Sequence, residues 1–228
     1  MSETVTIGHP PIEVRLKRHA RAKRLTLRLS QVSREATLTL PPRTPLRQAK
    51  AFALKQEQWL REQMARLPER AALTDGAEIP FRGESLILRT TSGKSVRLSP
   101  PHIEVATPNP ARRLRAFFRT EARNAILPLV EHYSCRIGRP FNRVTLRDTR
   151  SRWGSCSGEG NLMFSWRLVM APPPVLEYVV AHEVAHLVEM NHSAAFWAQV
   201  EALMPDYRNH RHWLRNNGAK LHTVDFGA

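Results

Sequence analysis

Pro172-Pro173-Pro174-Val175-Leu176-Glu177-Tyr178-Val179-Val180-Ala181-His182-Glu183-Val184-Ala185-His186-Leu187 is the most informative stretch of this chain. Proline is tolerated in a first helical turn, so the triplet predicts a helix start. Val179, Val180, Val184 and Leu187 make that helix apolar and therefore buried. His182 and His186 are four residues apart, which puts them on one helical face, about one turn from each other, where their imidazoles can converge on a single ion. Glu183 is placed to accept a proton from an activated water rather than to ligate. Two imidazoles and a carboxylate are costly to bury without a partner, and a zinc ion is the partner this pattern fits. The residues alone therefore point to a zinc-dependent hydrolase.

A catalytic zinc takes three protein ligands and keeps a fourth position open. His192 is the nearest candidate for the third, although helical spacing does not carry it onto the face of His182 and His186. It reaches the ion only if the helix ends near Glu189 or Met190 and the chain turns back. Asn191 suits such a turn, and Ser193 is a good N-cap for a following helix. Glu189, Glu201, His210 and His212 are the alternatives. Two further helices, near 193–204 and 206–217, are expected to close the chain.

Upstream of the motif, Asn161–Leu168 and Arg143–Arg147 are expected strands, the first following a Ser155–Gly160 turn. A long amphipathic helix carrying Leu114, Phe117, Phe118, Ala122, Ile126 and Leu129 starts near Pro108–Pro110, with Pro128 a potential kink. Before it, alternation at Ile12–Leu16, Leu25–Leu29 and Ala36–Leu40 predicts strands with one buried face, typical of antiparallel sheet. One helix from Thr44 to about Arg66 follows, then short strands at Ile79–Phe81, Ser85–Leu88, Ser95–Leu98 and Ile103–Ala106. The expected architecture is α+β: a mostly antiparallel β-rich region with one helix over 1–108, and a metal-binding catalytic domain over 109–228.

The chain has 228 residues, 42% hydrophobic and 24% charged, as in ordinary globular proteins. No run of 18 or more apolar residues suggests a membrane helix, and the N-terminus lacks a secretory pattern. With only Cys135 and Cys156, a reduced, cytoplasmic protein is expected. The net charge of +15 is mostly arginine. Seven basic residues and no acid lie between Arg15 and Arg28, and eleven arginines lie between Arg112 and Arg152. A surplus of this kind attracts nucleic acid, nucleotides or acidic protein surfaces, so an anionic partner joins a protein or peptide substrate among the expectations.

The run Ser151-Arg152-Trp153-Gly154-Ser155-Cys156-Ser157, then Trp166-Arg167-Leu168, then Val179–Leu187 and Asn191-His192-Ser193-Ala194-Ala195-Phe196-Trp197, resembles the YgjP-like metallopeptidase family. More distantly it is similar to SprT-like and other minimal zincins. The resemblance implies a zincin-like domain, zinc held by His182, His186 and His192, and Glu183 as general base of a metallopeptidase. It also implies that an edge strand, Asn161–Trp166, pairs with extended substrate. Arg150, Arg152, Tyr207, His210 and His212 are candidates to stabilise an anionic intermediate. Trp153, Trp166 and Trp197 read first as packing residues, and Cys156 as a small buried residue in a turn. Two other functions fit the charge. One is zinc-dependent hydrolysis of a phosphate-bearing substrate such as a nucleotide. The other is a DNA-associated protease or nucleic-acid-binding module of SprT-like type.

Overall fold

The computed structural model describes residues 3–30, 32–67 and 72–226, and the chain divides into two compact units, Met1–Glu69 and Arg70–Ala228. In the first unit, β1 (Thr4–Ile7), β2 (Ile12–Arg18), β3 (Thr26–Leu29) and β4 (Ala36–Leu40) form one sheet in the order β1-β2-β4-β3. The outer pairs are antiparallel, but β2 and β4 at the centre run parallel. This follows from connectivity: β3 takes the outer edge and returns by a hairpin, so β4 enters beside β2 in the same direction. Val14, Leu16, Leu38 and Leu40 alternate inward and pack with Ala49, Ala53 and Leu60. The single helix expected after Thr44 is two, α1 (Leu46–Lys55) and α2 (Glu57–Ala65), separated at Gln56, whose N–H bonds back to Ala53 O.

The second unit begins with the same strand plan. Strands β5 (Glu78–Phe81), β6 (Glu84–Thr91), β7 (Val96–Ser99) and β8 (His102–Ala106) are ordered β5-β6-β8-β7, again with a parallel central pair. The change of sequence texture set a boundary near 108, whereas contacts group these strands with the helices that follow. The reason is packing: Ile79, Phe81, Leu86 and Leu88 share one core with Leu114 and Phe118 of α3 (Pro110–Ile137). Pro128 lies within α3 without ending it.

After α3 come β9 (Arg143–Arg147), β10 (Gly154–Cys156) and β11 (Asn161–Ser165) in the order β10-β11-β9. The strand expected to continue to Leu168 stops at Ser165, and Trp166–Met170 forms a 3-10 turn buried throughout. Arg82 N and Gly83 N donate to Val169 O and Met170 O, fixing this turn against the β5–β6 hairpin. Gly83 has φ +85 and a Cβ there would lie 3.0 Å from Pro172, so only glycine fits the approach. Three helices finish the fold: α4 (Pro173–Ala185), α5 (Ala194–Leu203) and α6 (Tyr207–Asn217). α4 is buried on nearly every side, with Val175, Val179, Val180 and Val184 in the core.

Arg167 locks the end of the chain under this assembly. Its Nε and Nη2 donate to the two carboxylate oxygens of Asp148 at 2.7 and 3.1 Å. Its Nη1 donates to Leu221 O and Val224 O, and its plane lies over Trp166 and Phe226. Arg167→Met should destabilise the protein by about 3 kcal/mol, because it leaves two buried carbonyls and a carboxylate without their donor. Arg167→Lys should recover only part of the loss, since an ammonium lacks the planar fork. Equilibrium unfolding in urea measures both, and a parental midpoint for Arg167→Met would refute this role.

Candidate metal centre

α4 brings His182 and His186 to the same face one turn apart, with ring centroids 5.1 Å from each other. The helix ends at His186, and Leu187 N and Val188 N bond back to Val184 O and Ala185 O in tightened turns. Asn191 Oδ1 then accepts from Ser193 N at 3.0 Å, and Ser193 Oγ caps α5 by accepting from Phe196 N. The chain thus doubles back and points His192 at the helix it has just left. His192 Nε2 lies 3.1 Å from His182 Nε2, and one nitrogen from each of the three imidazoles falls within a 4.8 Å group.

This donor set fits a divalent metal. His186 Nδ1 lies 2.9 Å from the Glu189 carbonyl, which fixes Nδ1 as the protonated nitrogen and leaves Nε2 free to ligate. Burial and the neighbouring imidazoles push His182 down to about 3, and burial lowers His186, so both rings are neutral, the form that binds metal. His182 Nδ1 is buried with no partner among the described residues. Phe196 contacts all three rings, stacking on His186 at 4.4 Å, and Trp197 stacks on His192. These rings restrict how the imidazoles can turn.

Glu183 faces the same cleft, which encloses about 420 Å3 and is lined also by Arg152, Gly154, Cys156 and Met190. Its side chain is 6% exposed, and burial pushes its carboxyl up to about 8 against the opposing pull of Arg152. Room for that carboxyl comes from Gly154: a Cβ there would lie 2.5 Å from Glu183 Cγ. Gly154 stands in the Ser151–Ser157 run that carries the family resemblance, but its role has no mark there, because a three-residue strand is too short to show alternation.

The alternative ligands are engaged elsewhere. Glu201 pairs with Arg208, His210 with Asp206, and His212 with Asn216. Glu189 contributes its backbone carbonyl to His186. Of the candidates to stabilise an anion, Arg152 lines the cleft, whereas Tyr207 is buried between Tyr178 and Trp197. The tryptophans do not gather: Trp153 meets His222, Trp166 meets Phe226, and Trp197 meets the imidazoles. The Cys156 thiol is pushed up to about 11, first by burial and then by Glu183, so it is not a thiolate near neutral pH. The substrate-pairing strand also needs correction. β11 is paired on both sides, by β10 and β9, and has no free edge; the edges of this sheet are β9 and β10, and β10 is the one that lines the metal cleft.

A model of the YgjP-like metallopeptidase domain matches residues 23–217. Among solved structures, the metallopeptidase zymogen of Pyrococcus abyssi abylysin is similar at 24% identity, over 41% of this chain and 92% of that one, with a TM-score of 0.36. No curated protein matches the chain.

Proposed function

From the premise that the chain belongs to the YgjP-like metallopeptidase family, we propose that it is a zinc-dependent endopeptidase of HExxH type. His182, His186 and His192 hold the ion, and Glu183 acts as general base. The observation that carries this reading is the meeting of three imidazoles beside one buried carboxylate in a single cleft. Zinc in such a site supplies a Lewis acid for the scissile carbonyl and acidifies water. Ionised where a dication's charge offsets the burial penalty, Glu183 takes the proton of the attacking water and passes it to the departing amine. Arg152 stands nearby as the positive charge for the oxyanion. The exposed edge of β10 offers backbone donors and acceptors to an extended peptide.

The test has two parts. Elemental analysis should find about one zinc per chain, falling several-fold in His186→Ala, because three protein ligands are the usual complement of such a site. Incubation with unfolded proteins and peptide libraries should give cleavage that chelators stop. A parent free of metal, or an unchanged metal content in His186→Ala, would overturn the site.

A second reading draws on the first unit. There Lys17, Arg21, Lys23, Arg24 and Arg28 line a hollow of about 650 Å3 whose lining includes no acid. That favours an anionic polymer bound through its backbone, which would weaken steeply with salt. No described helix is long and apolar enough to cross a membrane. Both cysteines are free, and we place the protein in the reducing cytoplasm.

A further inference from the structure

Beside the metal cleft lies a second, larger hollow. Ser151, Arg152, Ser155 and Cys156 line both, and the second encloses about 870 Å3 against the sheet of β9, β10 and β11. Its far side carries Arg143 and Arg147. They lie four residues apart on β9, hence on one face of the strand with Thr145 between them. Strand geometry separates their Cα atoms by about 13 Å.

Neither guanidinium has a carboxylate partner among the described residues. Asp148, the next residue along, accepts both arms of Arg167. Glu159, the one acid lining the hollow, accepts from Asn161 Nδ2. Both arginines are exposed, in a hollow that has four lining residues in common with the metal cleft.

We propose that this hollow holds an acidic flank of the polypeptide substrate, so that the enzyme selects peptide bonds beside Asp- and Glu-bearing segments. The proposal deepens the peptidase reading and rests on it. A polypeptide longer than the metal cleft reaches the hollow by passing over Ser151, Arg152, Ser155 and Cys156, which border both. The spacing favours carboxylates on an extended chain over a phosphate group. A phosphate asks for donors converging on one point, commonly at a helix N-terminus. This hollow is lined by strands and turns, and its two β9 guanidinia stand apart. An extended chain repeats its side chains on one face with the same period as β9, so acids at alternate positions meet them in turn. The charges are solvated, so the discrimination is moderate and salt-sensitive, roughly tenfold between acidic and basic peptides.

The experiment uses the full-length, zinc-loaded Glu183→Gln protein and two fluorescein-labelled peptides of equal length. One carries Glu and the other Lys on a Ser/Ala background, and anisotropy reads their affinities. The Glu peptide should bind about tenfold more tightly, less so as salt rises, and the double variant Arg143→Glu/Arg147→Glu should invert the order. Should that variant not fold, as circular dichroism and metal content would reveal, Arg143→Gln/Arg147→Gln should abolish the preference. Equal affinities, or a preference that survives the substitutions, overturn the proposal. So does tighter binding of inorganic tripolyphosphate that is lost with the same arginines, which would make the hollow a phosphate site. Parallel incubations with the parent separate the two claims. An intact binding preference without cleavage sinks the peptidase reading alone, and cleavage indifferent to charge sinks the acidic selectivity alone.

Discussion

Glu183→Gln should retain its metal and its fold while hydrolysing peptide about 10^3-fold more slowly than the parent, in the range expected for loss of a positioned general base. The glutamine amide has nearly the shape and volume of the carboxyl, so the Gly154 recess still accommodates it. It cannot accept a proton from water and pass it on. Stability should not fall, because the substitution replaces a buried residue's carboxyl, whose ionised form is penalised by burial, with a neutral group. The decisive measurement is kcat on one defined peptide beside metal content in the same preparation. Near-parental kcat in a metal-replete variant would mean that another group takes the proton. Among the described residues that line the cleft, Arg152 is the remaining titratable side chain besides the histidines and Cys156, and a guanidinium is not a base.

Much of this site is legible in the sequence because its logic is local. The proline triplet, the valines and the four-residue histidine spacing all lie on one helix, and α4 forms where they predict it. His192 is a less local inference. It depends on the chain reversing within a few residues, and Asn191 and Ser193 supply that signal through their side-chain hydrogen bonds. Strand direction is a different matter. Alternation at Ile12–Leu16 and Ala36–Leu40 tells which face is buried, but it is silent on which strand is the neighbour and which way that neighbour runs. The parallel pairing of β2 with β4 follows from chain routing, which has no mark in either segment. Pairing also decides the substrate edge, which the family resemblance assigns to Asn161–Trp166. Gly154–Cys156 on one side and Arg143–Arg147 on the other leave it no free edge, so the edge beside the cleft is β10.

Gly154→Ala should reduce kcat about 10^2-fold without touching a metal ligand, the size of loss that a displacement of roughly 1 Å at a reacting group produces. The added methyl would sit 2.5 Å from Glu183 Cγ, 2.6 Å from Oε1 and 2.7 Å from Cδ, closer than real Cβ contacts come. One side must move. The strand is held, because Gly154 is paired opposite buried Phe164, and Ser165 N donates to Trp153 O at 2.8 Å. The Glu183 backbone is held too, within a helix packed on nearly all sides. What can yield is the Glu183 side chain, and its open direction is the cleft, where the carboxyl no longer sits at the angle that proton transfer requires. Metal content should stay near parental, since the three imidazoles are anchored by Glu189 O, Phe196 and Trp197 rather than by Gly154. Gly158→Ala is the matched control: its added methyl meets nothing within 4 Å, and kcat should be unchanged. A fully active Gly154→Ala would show that Glu183 can be displaced without cost and would remove it from the proton path. Loss of metal together with activity would show that the histidines lean on the same recess.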